Sequence, residues 1–136
     1  MTKHTILQPA GWAKPKGYAN GVAAEGRLVV VGGQIGWNRL GQFETDDLAG
    51  QVRQTLQNVV DVLAEAGATP EHVVSLTWYL TDKKEYLGNL KAIGKAYREV
   101  MGSHYPAMAV VQVLALVEDR AKVEIQAMAA VPVTSP

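Results

Sequence analysis

The chain contains no cysteine, and that absence excludes a disulfide scaffold, a thiolate nucleophile, a zinc ribbon and a dithiol redox pair. An excess of one charge is absent too, because thirteen Lys and Arg cancel thirteen Asp and Glu. A neutral chain has no global attraction to nucleic acid or to an anionic membrane surface, so neither is expected as a partner. No apolar run approaches the ~20 residues that a membrane helix needs. The N-terminus, Met1-Thr2-Lys3-His4-Thr5-Ile6-Leu7-Gln8-Pro9, lacks an apolar h-region, which points away from a secretory leader and toward the cytoplasm. The three histidines, His4, His72 and His104, have no metal-ligand spacing, so no metal is expected. Neither a GxSxG elbow nor an internal repeat is present.

What remains is an ordinary globular composition. The chain has 136 residues, 48% hydrophobic and 19% charged, which predicts one domain spanning 1–136.

The pattern predicts β-β-β-α-β-α-β-β, or the same order without the first short strand. A short strand over Thr5–Gln8 precedes Pro- and Gly-rich irregular chain, and Gly21-Val22-Ala23-Ala24 reads as the hairpin partner of Arg27–Ile35 across Glu25-Gly26. The second of these strands is continuously apolar, which predicts cover on both faces. Thr45-Asp46-Asp47 offers caps for a helix whose stripe is Leu48, Val52, Leu56, Val59, Val60 and Leu63, with Gln51 off the stripe and Gly67 as its stop. Val74, Leu76, Trp78 and Leu80 alternate with polar residues as a strand, and a second helix is expected from Lys84 to Met101. Strands over Ala107–Leu116 and Lys122–Val131 close the chain, joined by the polar turn Glu118-Asp119-Arg120.

Helices linking strands of one sheet pack on one face, which gives an α+β two-layer domain with a mixed sheet. Val123, Ile125, Ala127 and Ala129 are expected to face the helices. Lys122, Glu124, Gln126 and Met128 then face away, and Met108, Val110, Gln112, Leu114 and Leu116 are expected beside them on the neighbouring strand. Such a mixed outer face needs cover, most simply from further copies of the chain.

Gly32-Gly33-Gln34-Ile35-Gly36 is not a phosphate loop, since it lacks both the P-loop Lys and GxGxxG spacing; its glycines suit a bulge or a close backbone approach. Trp12 and Trp37 fall in loops, where they suit either a ligand or subunit contact or partial burial. Glu124 is a lone carboxylate within a good strand. It is either solvated and paired with Lys122 or Arg120, or held in an interface where desolvation would suit it to acid–base work.

Taken in order, several segments resemble the RidA/YjgF family: Gly17-Tyr18; Gly33-Gln34-Ile35 ending a Val-rich strand; Gln54-Thr55-Leu56-Gln57-Asn58-Val59; Ala66-Gly67; Asn89; Pro106-Ala107; and Val123-Glu124-Ile125-Gln126-Ala127-Met128-Ala129. The resemblance runs from about Pro9 to Val131. It implies a chorismate-mutase-like fold and a homotrimer with clefts between neighbouring subunits. It also implies hydrolysis of 2-imino or enamine acids to 2-keto acids and ammonia without metal or organic cofactor. Some members are described as ribonucleases or translation inhibitors, and others bind small molecules.

Three positions depart from the deaminating pattern. Met108 stands where those members carry the Arg that clamps the substrate carboxylate, and a thioether cannot make that bidentate pair. Gly32 and Val110 stand where Ser and Cys are common. The resemblance therefore implies Glu124 as the catalytic, water-activating group, and Tyr18, Gly33, Gln34, Trp37, Asn89, Met108 and Val110 as substrate-binding residues. Arg39 or His104 could replace the missing cation. The alternative is a non-catalytic trimer holding a small apolar or aromatic metabolite between Met108, Trp37 and Tyr18.

Overall fold

The computed structural model describes residues 4–133. The elements are β1 (Thr5–Leu7), β2 (Gly21–Ala23), β3 (Arg27–Ile35), α1 (Leu48–Glu65), β4 (Val73–Leu80), α2 (Lys83–Leu87), α3 (Leu90–Met101), β5 (Ala107–Gln112) and β6 (Val123–Val131). Strands β3, β6, β4 and β5 lie side by side in that order as one mixed sheet, in which only the β4–β5 pair is parallel. Helices α1 and α3 pack together over one face of it. The architecture is the expected α+β two-layer fold.

The core follows from the alternation. Leu76, Trp78 and Leu80 on β4 register with Ala127, Ile125 and Val123 on β6, and all six are buried with Leu48, Val52, Leu56, Val59 and Leu63 of α1. Asp47 caps α1 by accepting from the Gly50 N–H at 2.9 Å, and Gly67, at φ +72°, turns the chain out of the helix.

Several expectations need correction. The Gly21–Ala23 segment pairs with β1 and not with β3. At Gly26 the chain comes so close to the Val131 carbonyl that a Cβ would lie 2.3 Å from its oxygen, so this turn steers the chain onto the sheet and does not close a hairpin. Strand β3 is an edge strand with one face uncovered in the single chain, where Leu28 and Val30 are 63% and 66% exposed. The second helix is two, broken at Gly88-Asn89, where the Asn89 side-chain amide donates to the Glu85 carbonyl at 2.7 Å. Gln51, expected off the α1 stripe, is fully buried.

The last two strands are not neighbours, because β4 lies between them. Strand β5 stops at Gln112, four residues before the expected Leu116. Its partner β4 ends at Leu80, and Gln112 Oε1 turns instead to accept from the Lys83 N–H at 2.7 Å.

Candidate functional site

The register of β5 decides where its side chains go. Met108, Val110 and Gln112 lie opposite Leu76, Trp78 and Leu80, so they face the helix layer. The expectation that they line the outer face beside Glu124 is wrong by one residue of parity. The outer face of β5 carries Ala107, Ala109 and Val111. Beside them stand Ser75, Thr77 and Tyr79 of β4 and Glu124, Gln126 and Met128 of β6.

Two candidate regions follow, one for each face. On the helix side, the edge of the sheet at β5 extends beyond the cover of α3 and leaves a cavity of about 460 Å³. Met108 and Val110 form part of its floor, and Trp78, Tyr86, Tyr97 and Tyr105 supply aromatic walls. Lys16, Gly17 and Tyr18 also line it. Ala19 pins that segment, bridging to Ala107 and donating its N–H to the Pro106 carbonyl at 3.0 Å.

On the outer face, Glu124 sits half-buried against the backbone of Gly33. A Cβ at Gly33 would come within 2.2 Å of Glu124 Oε2, so only glycine leaves the carboxylate its place. The Val31–Gln34 bulge brings this stretch against β6, as the glycine pair suggests. Neither expected ion-pair partner reaches Glu124. Lys122 pairs with Glu85 at 2.8 Å and Arg120 with Asp46 at 2.9 Å. The Tyr79 hydroxyl donates to Gln126 Oε1 at 3.0 Å, one register step along the same face.

The remaining candidates lie elsewhere. Gln34, Trp37 and Arg39 line a shallower concavity with Asn58 and Asp61, and Asn58 Nδ2 fixes its backbone by donating to the carbonyls of Ile35 and Trp37. Within one chain, then, Trp37 does not join Met108 and Tyr18, and Arg39 lines a different concavity from Met108. The His104 ring is engaged as well, its Nε2 lying 2.7 Å from the Val73 carbonyl. Asn89 spends its amide on the α2 terminus, next to Leu90 of the cavity wall. Among the described residues no cluster of His, Asp or Glu could hold a metal ion, and no helix is long and apolar enough to cross a membrane.

A family profile described as Endoribonuclease L-PSP matches residues 12–131, nearly the whole chain. The chain belongs to this RidA/YjgF family. A RutC family protein of Pyrococcus abyssi is 31% identical over 130 residues, covering 95% of this chain and 98% of its own. Human 2-iminobutanoate/2-iminopropanoate deaminase is 31% identical over 104 residues, 76% of this chain and 72% of its own. Among solved structures, the Rid family protein YyfB of Yersinia pestis superposes with a TM-score of 0.84 at 31% identity, covering 94% of this chain and 98% of that one.

As a Rid-family chain, the protein shows two features that sequence reasoning passed over. The aromatic cluster is one: Tyr97 and Tyr105 stack at 5.0 Å between centroids with 13° between planes. Tyr97 could be found as a stripe residue of the second helix, whereas Tyr105 gave no periodic signal. The other is Gln51, expected off the stripe yet fully buried; its place three residues after Leu48 was the signal that could have found it.

Proposed function

We propose that the protein is a Rid-type hydrolase of a small C=N compound that lacks the usual carboxylate handle, working in clefts between the subunits of a homotrimer. One observation carries this reading: Glu124 and Met108 lie on opposite faces of the same sheet. A ligand touching both kinds of residue must lie between two copies, one offering its outer face and the other its helix-side cavity. The exposed Leu28, Val30 and Met128, farther along the same outer face as Glu124, are the apolar surface such a contact would bury.

In this reading Glu124 accepts a proton from water as the water oxygen attacks the imine carbon. That proton passes to nitrogen to give a carbinolamine; the hydroxyl proton then moves to nitrogen in turn, the C–N bond breaks as the C=O forms, and ammonia or an amine leaves with the carbonyl compound behind. Gly33 keeps the carboxylate in place by taking up no room. Met108 gives a carboxylate-bearing substrate nothing to pair with; each charged hydrogen bond forgone is worth ~1.5–3 kcal/mol. RNA is not the substrate in this reading, since the neutral chain offers few phosphate contacts.

The test uses imino acids generated in situ and trapped with semicarbazide. Wild type should hydrolyse 2-iminopropanoate only slowly. Met108→Arg should raise kcat/KM by about tenfold or more, and Met108→Arg/Glu124→Gln should lose that gain. Robust hydrolysis of the imino acid by wild type would show that the cation is dispensable here and overturn the altered-substrate reading.

A further inference from the structure

The helix-side cavity defines its occupant more closely than C=N chemistry does. At about 460 Å³ it falls in the range of sites for whole small molecules and is far larger than a four-carbon acid fills. Its walls are flat and aromatic. Tyr97 and Tyr105 stack on one side, while Trp78 and Tyr86 meet edge to face, 6.4 Å apart at 76°. Met108 and Ile93 add a polarisable and an aliphatic surface, and thioethers pack well against ring edges.

No carboxylate lines the cavity, and its one cation is the exposed Lys16. A cation carried inside would lose its water and meet no counter-charge, and an anion would find only the exposed, solvated Lys16. The Trp78 indole N–H is buried without a partner and does not reach the cavity surface, so the polar side-chain groups available there besides Lys16 are phenols. The Tyr97 hydroxyl is committed to the His104 carbonyl. Those of Tyr86 and Tyr105 have no protein partner among the described residues. Burial pushes the Tyr86 phenol up, so at neutral pH it remains a protonated donor.

We infer that the site takes an aromatic ring bearing an uncharged hydrogen-bond acceptor, a carbonyl oxygen or imine nitrogen, with the ring between the aromatic walls and Met108 and the acceptor on the Tyr86 or Tyr105 hydroxyl. This rests on the reading of the cavity as half of the reactive cleft, and it names the class of compound that cleft admits. Gly94 of α3 fits the same picture. It lines the cavity, weakens its helix relative to alanine, and has only the flexible end of Arg98 within 4 Å of the place a Cβ would take.

Binding to the full chain, read by calorimetry and by indole N–H resonances, tests the inference without any turnover. The probes are 1-indanone, which has ring and acceptor; indane, which has the ring alone; and pyruvate, which has a carboxylate and no ring. Wild type should bind 1-indanone at least tenfold more tightly than pyruvate and severalfold more tightly than indane, as one neutral hydrogen bond allows. Tyr86→Phe/Tyr105→Phe should erase the difference between 1-indanone and indane. Gly94→Trp, which can fill the cavity from a helix position that tolerates a side chain, should abolish binding of both. Pyruvate binding as tightly as 1-indanone, or 1-indanone binding undiminished in a folded Gly94→Trp variant, would overturn it. Because no reaction is measured, slow or absent hydrolysis leaves this result standing, and failure of both ring probes overturns the aromatic assignment even if the chain hydrolyses imines.

Discussion

Gly33 and Gly36 stand three positions apart and answer to different neighbours. A methyl group at Gly33 meets the end of the Glu124 side chain, which can swing aside, whereas one at Gly36 lies 2.8 Å from Gln51 Cβ and 3.0 Å from Gln51 backbone atoms. The two substitutions should therefore separate function from stability. In the Met108→Arg background, Gly33→Ala should lower kcat on imino acids about tenfold or more with little change in melting temperature. Gly36→Ala should cost about 1–3 kcal/mol in denaturant unfolding, because helix and strand must part to admit it. Sequence reasoning reached Gly33 and Glu124 readily, since a glycine pair in a Val-rich strand and a lone carboxylate in another both break a pattern. It could not see that the two touch, because their contact is made across the sheet.

Among the elements, α1 is held by more than its apolar stripe. Gln51 Nε2 donates to the carbonyls of Thr45 and Arg120, at 3.1 and 3.0 Å, and its Oε1 accepts from the Lys122 N–H at 2.8 Å. One side chain thus ties the helix start to the chain before it and to the approach to β6. Gln51→Leu keeps the volume and strands three backbone groups, so urea unfolding should show a loss of about 2–4 kcal/mol. Sorting helix positions by polarity assigns such a glutamine to solvent; the backbone groups that claim it come from segments 6 and about 70 residues away. The parity of β5 was hidden for a different reason. Ala107, Ala109 and Val111 on one side and Met108 and Val110 on the other are all apolar, so alternation carries no sign. The sign comes only from pairing with β4, whose own alternation of Leu76, Trp78 and Leu80 with polar residues was plain. The α2–α3 break was foreshadowed by Gly88, although helix periodicity carries across it.

At the scale of the whole molecule, the element order and two-layer class were legible because each βα unit announces itself locally. Strand order was not, because it depends on where in the sheet the last strand enters, and β6 goes between β3 and β4. That arrangement leaves the outer face bare in a single chain. The homotrimer proposed above should sediment at about 44 kDa at micromolar concentration, three times the 14.6 kDa chain. Leu28→Glu/Val30→Glu, placing two charges on that face, should shift it toward 14.6 kDa without loss of helical signal. A stable wild-type monomer would remove the shared cleft.

The sheet that separates Glu124 from Met108 has a consequence for inheritance. In such a trimer each chain lends its carboxylate to one cleft and its aromatic cavity to another. A chain broken on one face is then not a null: combined with a chain broken only on the opposite face, it can rebuild an intact cleft from the sound half of each. Two defective alleles of this protein could complement one another inside a single assembly, whereas a chain damaged on both faces would spoil the clefts of its healthy neighbours.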